Sequence, residues 1–305
     1  METSDRLERL DDLITEARSE RPDYDRSSTL ELVELMNAED VSVPRAVGRI
    51  AGDIAAVVDA VVERLAAGGR LVYVGAGSSG RIAALDAYEC EATFSTEPGQ
   101  VVALVAGEEL SSGEERDATE DDSDAGRRAV EKLGVSGRDA VVGVSASGRT
   151  PYVVSALEAA AAAGAFTVAL VAVHDSELAR LAEREVAAVV GAEVVAGSTR
   201  LKAGTAQKLV LNTISTVAMI RLGKTYGDLM VDVRTSNEKL AARARRVVRQ
   251  AAGVSDAEAG DALAAADGSA KVALVVLLAG VDPASARARL ERSRGHIQGA
   301  LEQEP

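Results

Sequence analysis

The sequence predicts an α/β fold in which a doubly wound, five-stranded parallel sheet lies between N-terminal helices and a small C-terminal helical domain. Short β-branched runs alternate with longer helical patterns in the middle of the chain, and this alternation is typical of a parallel sheet with crossover helices. After residue 236 the pattern is helical throughout, with glycines following the helical runs as stop signals. We therefore expect an N-terminal helical segment at residues 1–50, a sheet domain at 51–228 and a C-terminal helical domain at 229–305.

The five predicted strands are short apolar runs, at residues 71–74, 101–105, 140–144, 167–173 and 186–190. Helical patterns separate them, at residues 79–89, 114–133, 151–163 and 176–182. Pro151 suits the first turn of its helix, and Thr150 is a residue type favoured as an N-cap. This order of strands and helices indicates a parallel sheet wound on both faces.

The flanking segments read as helices. Before the sheet we predict helices at residues 5–17, 29–37 and 46–65. After it we predict a long apolar helix at 201–222, a short extended run at 229–233, helices at 237–252, 256–266, 270–278 and 283–290, and a terminal turn near His296. The apolar helix at 201–222 offers a surface either for a dimer or for the core of its own domain.

Composition excludes several classes of site. The 305 residues carry a net charge of −14, which argues against a nucleic-acid partner because phosphate contacts need a concentrated basic surface. Two His and one Cys are too few for a His-rich metal site, a Cys-ligated zinc site or a disulfide framework. The longest uncharged run, residues 159–173, is shorter than the roughly 20 residues that span a bilayer. With a polar start and the lone Cys90, we expect a cytoplasmic protein without a membrane partner.

A glycine-rich loop follows the first predicted strand. Residues 75–81, Gly-Ala-Gly-Ser-Ser-Gly-Arg, match G-x-G-x-x-G and lead into a helix, where backbone N–H groups favour an anion. A dinucleotide site would also need an acidic residue at the end of the next strand, but Glu108 comes late. The hydroxyls of Ser78 and Ser79 suit a small terminal phosphate better than a buried diphosphate.

A second hydroxyl-rich loop follows the third predicted strand. Residues 145–150, Ser-Ala-Ser-Gly-Arg-Thr, again join a strand to a helix. Loops at the carboxyl ends of parallel strands can converge on one crevice, and a phosphate monoester would use both. For either loop alone, an alternative interpretation is that its Ser and Thr residues are ordinary helix N-caps. Together they favour phosphate binding by Ser78, Ser79, Ser145, Ser147, Gly148 and Thr150.

These paired loops resemble those of the sugar isomerase (SIS) domain proteins, which bind phosphorylated sugars. The wider pattern resembles the N-acetylmuramic acid 6-phosphate etherase family. The resembling stretches are residues 28–31, 75–81, 86–90, 146–153, 191–208, 229–233 and 237–240. They extend from Ser28 to the start of the C-terminal helices, so the resemblance covers most of the chain.

The resemblance implies a metal-independent carbon–oxygen lyase of cell-wall amino-sugar recycling. Such an enzyme cleaves the D-lactyl ether of N-acetylmuramate 6-phosphate by elimination and hydration, giving N-acetylglucosamine 6-phosphate and D-lactate. It implies no cofactor, a phosphorylated amino-sugar substrate and a homodimer. The reaction needs a general acid and a general base, and paired carboxylates suit both roles.

The family's two catalytic glutamates match Glu89, in the run Asp-Ala-Tyr-Glu-Cys at 86–90, and Glu120, in a Glu-Asp pair. Glu114 and Glu115 are rivals to Glu120, because residues 108–124 are rich in acids. Which glutamate is the base and which the acid stays open. The chain departs from the family where Glu91-Ala92 stands in place of two prolines after Glu89-Cys90.

The resemblance also places Glu193 and Ser198 near the substrate, within residues 191–200. Lys202 and Lys208 follow on a helix, and we favour a structural role for both. Arg81 and Arg149 either supply charge to the anion or balance an acidic protein. His174 and His296 belong to no motif.

Two other functions compete with the etherase. A non-enzymatic, regulatory sugar-phosphate-binding protein, similar to the glucokinase regulatory protein, would keep the serine loops but would not need Glu89. An NAD-dependent dehydrogenase is suggested by the glycine-rich loop alone. The true substrate in the host and the role of the C-terminal helices do not follow from the sequence.

Overall fold

The protein contains a five-stranded parallel sheet and a separate helical unit, as the computed structural model shows for residues 13–18, 24–108, 118–232 and 238–303. The chain divides into two compact units. The first comprises Met1–Tyr88 with Gly99–Ser215, and the second comprises Glu89–Pro98 with Thr216–Pro305.

The strands of the first unit are β1 (Leu71–Gly75), β2 (Val101–Val105), β3 (Ala140–Val144), β4 (Phe166–Val171) and β5 (Arg184–Ala187). They pair in parallel in the order β2-β1-β3-β4-β5, with Gly75 opposite Val144 at the carboxyl ends of β1 and β3. The chain winds in one direction from β1 to β2 and in the other from β3 to β5. The predicted fold class is confirmed, and the β1/β3 boundary is the switch point at which such sheets bind ligands.

The helices that begin in this unit are α1 (Thr29–Asp40), α2 (Ser42–Arg49), α3 (Ala51–Ala66), α4 (Gly77–Phe94), α5 (Ser123–Leu133), α6 (Pro151–Ala162), α7 (Glu177–Leu181) and α8 (Lys202–Arg221). Helix α1 begins with a capping box, in which Ser28 Oγ accepts from the Glu31 N–H at 3.3 Å and Glu31 accepts from the Ser28 N–H at 2.7 Å. The apolar faces of α5 and α6 pack on the sheet with Val72, Val74 and Val141.

Four helix predictions need correction. Residues 114–133 were expected to form one helix, but residues 121 and 122 are not helical and α5 begins at Ser123 with Asp122 as its N-cap. Residues 46–65 were expected to form one helix, but α2 and α3 are separated at Ile50, whose φ of −104° and ψ of 20° leave the helical region. Gly48 and Gly52 flank this break and are weak helix formers. The described end of the predicted helix 5–17 is a turn at residues 13–18. Helix α4 runs past Glu89 to Phe94 and is longer than predicted.

The second unit is built from helices α9 (Glu238–Ala252), α10 (Asp256–Ala265), α11 (Ala270–Ala279), α12 (Pro283–Arg292) and α13 (Ile297–Leu301). A short hairpin of β6 (Thr225–Tyr226) and β7 (Leu229–Met230) precedes them. Apolar side chains from the four longer helices, including Val248, Leu263 and Leu274, form one core. The predicted C-terminal helices are therefore present, each beginning and ending within a few residues of its predicted bounds.

Among the described residues, no single helix is long and apolar enough to cross a membrane. Helices α10 and α11 pass that test only as a pair bent by 113°, on length and composition alone.

A buried ion pair joins the amino ends of β1 and β3. Arg70 precedes β1, and its guanidinium donates to both carboxylate oxygens of Asp139, at 3.1 and 2.9 Å. The backbone N–H groups of Arg70 and Ser136 also donate to Asp139, each at 2.9 Å. Burial opposes ionisation of Asp139, but these hydrogen bonds and the charge of Arg70 outweigh it and lower the pKa of Asp139.

We predict that Asp139→Asn lowers the free energy of unfolding by about 1–3 kcal/mol near neutral pH, because charged hydrogen bonds of a buried group are lost. The folded-state pKa lies below the unfolded one, so this stabilisation is present above about pH 4 and disappears as the pH falls through the folded value. Denaturant unfolding of both proteins between pH 7 and pH 3 measures the difference. A difference that stays constant over this range would contradict the ion-pair account.

Candidate active site

The two hydroxyl-rich loops begin side by side because β1 and β3 are neighbours. The predicted loop at 75–81 is shorter than expected: only Ala76 joins β1 to α4, so Ser78 and Ser79 lie in the first turn of that helix. Residues 145–150 form a longer loop from β3 to α6, which begins at Pro151. Two helix N-termini therefore follow the same edge of the sheet, where backbone N–H groups attract anions.

The side chains of both loops line one cavity of about 280 Å³. Ser78, Ser79, Ser145, Ser147 and Thr150 all contribute to its wall. The prediction that these two loops share a crevice is therefore supported by the geometry, with five hydroxyl groups around one space. Such a set of donors, close to two helix N-termini, suits a phosphate group.

The loop after β3 is held by its own hydrogen bonds. Ser145 is buried, and its Oγ accepts from the Gly148 N–H at 3.1 Å and lies 2.9 Å from Thr150 Oγ1. Thr150 occupies the N-cap position of α6, but its side chain makes no capping hydrogen bond. Ordinary capping therefore does not explain the Thr150 hydroxyl, which is turned towards Ser145 and the cavity.

Gly148 allows the backbone of this loop to adopt a conformation that other residues would not tolerate. Its φ is +64°, and a Cβ there would collide with the side chain of Ser176. Its carbonyl accepts from the Leu178 N–H at 2.9 Å, which ties the loop to α7. Only glycine fits this left-handed, closely packed position.

Glu120 reaches the same cavity from the segment between β2 and α5. It is half-buried, and its Oε2 lies 3.4 Å from the position that a Cβ on Gly77 would take. Glu120, Gly77 and Arg81 also line an adjoining cavity of about 240 Å³, together with Ala84, Val105, Ala106 and Glu108. The Glu120 carboxylate therefore lies in the wall of the cavity that the serine residues also line. Its rivals Glu114 and Glu115 lie outside the described residues.

The pKa of Tyr152 is affected by burial and by a nearby acidic residue. It follows Pro151 at the start of α6, and its side chain is buried. Burial raises the pKa of the Tyr152 phenol, and the negative charge of Glu108 raises it further.

Glu89 lies on α4, ten positions after Ser79, in the second compact unit. Its side chain is exposed, and it is not among the described residues that line the cavity. Leu85, four residues before Glu89 and therefore on the same helix face, is 57% exposed, and Tyr88, which is adjacent to Glu89 in the helix, is 76% exposed.

Asp86, in the same motif, holds α4 in place within the first unit. Its buried carboxylate accepts from the Tyr73 hydroxyl at 2.8 Å, from the Ser215 hydroxyl at 3.0 Å and from the side-chain amide of Asn212. These contacts connect α4 to β1 and α8, and they satisfy a charge that would otherwise be costly to bury.

Glu193 and Ser198 lie in the segment that leads into α8. Glu193 is fully buried, and its two carboxylate oxygens accept from the N–H groups of Lys202 and Ala203 at 3.0 and 2.9 Å. This contact caps the N-terminus of α8. Ser198 is half-buried beside Thr199, which lines the cavity.

The other charged residues considered in the sequence analysis form an ion pair, occupy a helix N-cap position or are exposed to solvent. Lys202 forms an ion pair with Glu39 at 2.6 Å, in agreement with a structural role, and Lys208 is exposed. Arg81 is exposed and lines both cavities. His174 is exposed, and His296 occupies the N-cap position of α13. Within the described residues, no group of three or more His, Cys, Asp or Glu side chains forms a metal-binding cluster.

The sequence interpretation missed Glu16 and Thr199, which also line the main cavity. Glu16 belongs to a segment whose charged composition resembles an ordinary solvent-exposed region. No local motif distinguishes it, because only the folded chain places it beside the loops.

Comparison with known proteins identifies close relatives over nearly the whole chain. Proteins named N-acetylmuramic acid 6-phosphate etherase are 52% identical in Streptomyces avermitilis, over 97% of this chain and 96% of the relative, and 54% identical in Rubrobacter xylanophilus, over 96% and 97%. The corresponding Escherichia coli protein is 45% identical over 97% of this chain and 99% of its own length.

Family and structural comparisons agree on the fold. Residues 53–161 match the model of the glucokinase regulatory protein N-terminal SIS domain. A Bacteroides fragilis protein assigned as a phosphosugar isomerase involved in capsule formation superposes with a TM-score of 0.51 at 21% identity, covering 66% of this chain and 95% of that chain. Phosphoheptose isomerase from Neisseria gonorrhoeae gives 0.50 at 19% identity, covering 63% and 98%.

We predict that Ser147→Ala weakens binding of a sugar 6-phosphate by about 3- to 10-fold, as expected for the loss of one hydrogen bond. Titration calorimetry with N-acetylglucosamine 6-phosphate measures the affinity. Ser42→Ala on α2, an exposed serine away from the loops, is the matched control and should bind as the unmodified protein does. Equal affinities for the Ser147 variant and this control would argue against Ser147 as a phosphate ligand.

Proposed function

The chain belongs to the N-acetylmuramic acid 6-phosphate etherase family and is a carbon–oxygen lyase, and we propose that the cavity at the β1/β3 edge is its active site. The reaction cleaves the D-lactyl ether of N-acetylmuramate 6-phosphate and gives N-acetylglucosamine 6-phosphate and D-lactate. The observation that carries this assignment is the convergence of both serine loops and Glu120 on one cavity.

In this proposal the 6-phosphate binds between the two loops. Hydroxyl groups of Ser78, Ser79, Ser145 and Ser147 and backbone N–H groups at the starts of α4 and α6 hold the dianion. The phosphate is remote from the reacting carbons, so its binding energy serves to orient C2 and C3 of the sugar.

The chemistry follows from the poor leaving-group ability of an alkoxide. In the ring-opened aldehyde, the proton on C2 is acidic because the adjacent carbonyl stabilises the carbanion. A base removes this proton, a C2–C3 double bond forms, and the C3–O bond breaks as the departing lactate oxygen takes up a proton. Water then adds its hydroxyl to C3 and a proton to C2, which completes the product.

We assign the two proton transfers to Glu89 and Glu120, each of which typically contributes about 10²- to 10⁴-fold when positioned. Glu120 is supported by its place in the cavity wall. Glu89 is supported by its family motif and by the anchoring of its helix through Asp86, one turn earlier. Glu193 and Ser198 stay proposed as substrate-proximal residues, and the boundaries at residues 50 and 228 stay the proposed domain limits.

We also propose that the chain acts as a homodimer in the cytoplasm. Leu85 and Tyr88 form an exposed apolar strip on α4 directly beside Glu89. A large apolar side chain such as Tyr88, with three quarters of its surface exposed, gains stability when a second copy covers it. Such cover would also exclude water from the surroundings of Glu89.

One observation supports the regulatory function as a second candidate: residues 53–161 match the glucokinase regulatory protein domain model. A regulator of that kind would bind the sugar phosphate and leave it unchanged. Turnover therefore separates the two functions directly.

We predict that the unmodified protein releases D-lactate from N-acetylmuramate 6-phosphate, and that Glu89→Gln and Glu120→Gln each reduce this rate by at least about 100-fold. A D-lactate dehydrogenase-coupled assay measures the rate. Because neither glutamate holds the phosphate, both variants should bind N-acetylglucosamine 6-phosphate as tightly as the unmodified protein. Binding without D-lactate release by the unmodified protein would instead support the regulatory function.

We predict that the protein sediments with twice the mass of one chain and that Tyr88→Glu sediments as a single chain with much reduced D-lactate release. A charge on the apolar strip would have to be buried at the proposed interface, at a cost of several kcal/mol. Sedimentation velocity measures the mass, and Lys132→Glu on the exposed surface of α5 is the control. A single-chain mass for the unmodified protein would refute the dimer.

A further inference from the structure

A short N-terminal segment, residues 13–18, is fixed against the first unit at the loop that precedes α8. Leu13 and Thr15 are 6% and 1% exposed. The Gly197 N–H donates to the Thr15 carbonyl at 3.0 Å, and the Glu16 N–H donates to the Leu13 carbonyl at 2.9 Å. The segment is therefore a turn anchored by two buried side chains and a long-range backbone hydrogen bond.

This turn directs the side chain of Glu16 towards the cavity. Its Oε2 lies 2.7 Å from the position that a Cβ on Gly197 would take, so the carboxylate lies directly over that glycine. Glu16 lines the main cavity together with the serine loops and Glu120. Its side chain makes no hydrogen bond or ion pair with any other residue that the structure describes.

The charge of Glu16 determines which part of a ligand it can contact. A carboxylate repels a phosphate dianion, by about 1 kcal/mol per unit-charge pair at 4 Å even in water. It accepts hydrogen bonds from O–H and N–H groups and donates none when ionised. A phosphorylated amino sugar offers such donors at its hydroxyls and at its amide nitrogen.

We propose that Glu16 is a specificity-determining residue that accepts a hydrogen bond from a hydroxyl or amide N–H group of the bound amino sugar. This inference rests on the proposed function for the class of substrate. It gives the cavity two chemically different parts. The serine hydroxyls and the helix N-termini bind the phosphate group, and the Glu16 carboxylate binds the uncharged sugar ring.

The proposal predicts that Glu16→Ala weakens binding of N-acetylglucosamine 6-phosphate by about 10- to 100-fold, as expected for a hydrogen bond to a charged group. Binding of inorganic phosphate, which has no sugar, should stay unchanged or become tighter because a negative charge is removed. Glu16→Gln keeps one acceptor oxygen and should lose less than Glu16→Ala. Calorimetry and phosphorus NMR titrations measure the two affinities.

Two further variants sharpen the test. Gly197→Ala places a Cβ 2.7 Å from the position of Glu16 Oε2, at a φ of +76° where a side chain also strains the backbone, and should lower sugar-phosphate binding by displacing the carboxylate. Glu63→Ala, an exposed glutamate on α3 outside the cavity lining, should bind both ligands normally. Unchanged sugar-phosphate binding by Glu16→Ala would overturn the proposal, and so would an equal loss of both ligands, which would indicate a structural role.

These outcomes are separate from those of the proposed function. If the unmodified protein releases no D-lactate but Glu16→Ala still loses sugar-phosphate binding selectively, the etherase assignment fails and the role of Glu16 stands. If D-lactate is released normally by both proteins and both ligands bind equally, Glu16 has no role in recognition and the etherase assignment stands.

Discussion

The parallel pairing of β1 with β3 is the constraint on which the candidate site depends. At the amino ends of these strands, Asp139 accepts five hydrogen bonds from Arg70 and Ser136. At the carboxyl ends, the same pairing places Gly75 opposite Val144, so the two loops that follow must begin beside each other. The ion pair and the cavity thus lie at opposite ends of one pair of strands, and both depend on the same register.

Within this frame, each part of the site has a separate structural support. The loop after β3 is shaped by Ser145 and Gly148, α4 is anchored through Asp86, and the N-terminus of α8 is capped by the buried Glu193. The first support lies within its own loop and the other two join different segments, and all three satisfy polar atoms that burial would otherwise leave unpaired.

Much of this arrangement could be predicted from local sequence. The five strands are short runs rich in β-branched residues between turn signals, and hydroxyl groups follow two of the strand ends, so both features depend on nearby residues. The break at Ile50 was not predicted because the apolar spacing continues through it, although Gly48 and Gly52 on either side are weak helix formers. Glu16 was not predicted because its place is determined by a partner at residue 197. Glu89 was identified by its motif alone, and the structure adds that its surroundings on α4 are exposed and apolar.

The contact between Thr15 and Gly197 also has a consequence for how the protein is made. During synthesis, residues 13–18 leave the ribosome early, yet their partner loop emerges only after the whole sheet, from Leu71 to Ala187, has been translated. A contact with such a large sequence separation forms slowly, because closing the long loop costs entropy before the contact is made. Residues 13–18 therefore cannot reach their native position until the loop around Gly197 has been translated, and the part of the cavity wall that Glu16 contributes is complete only after that step.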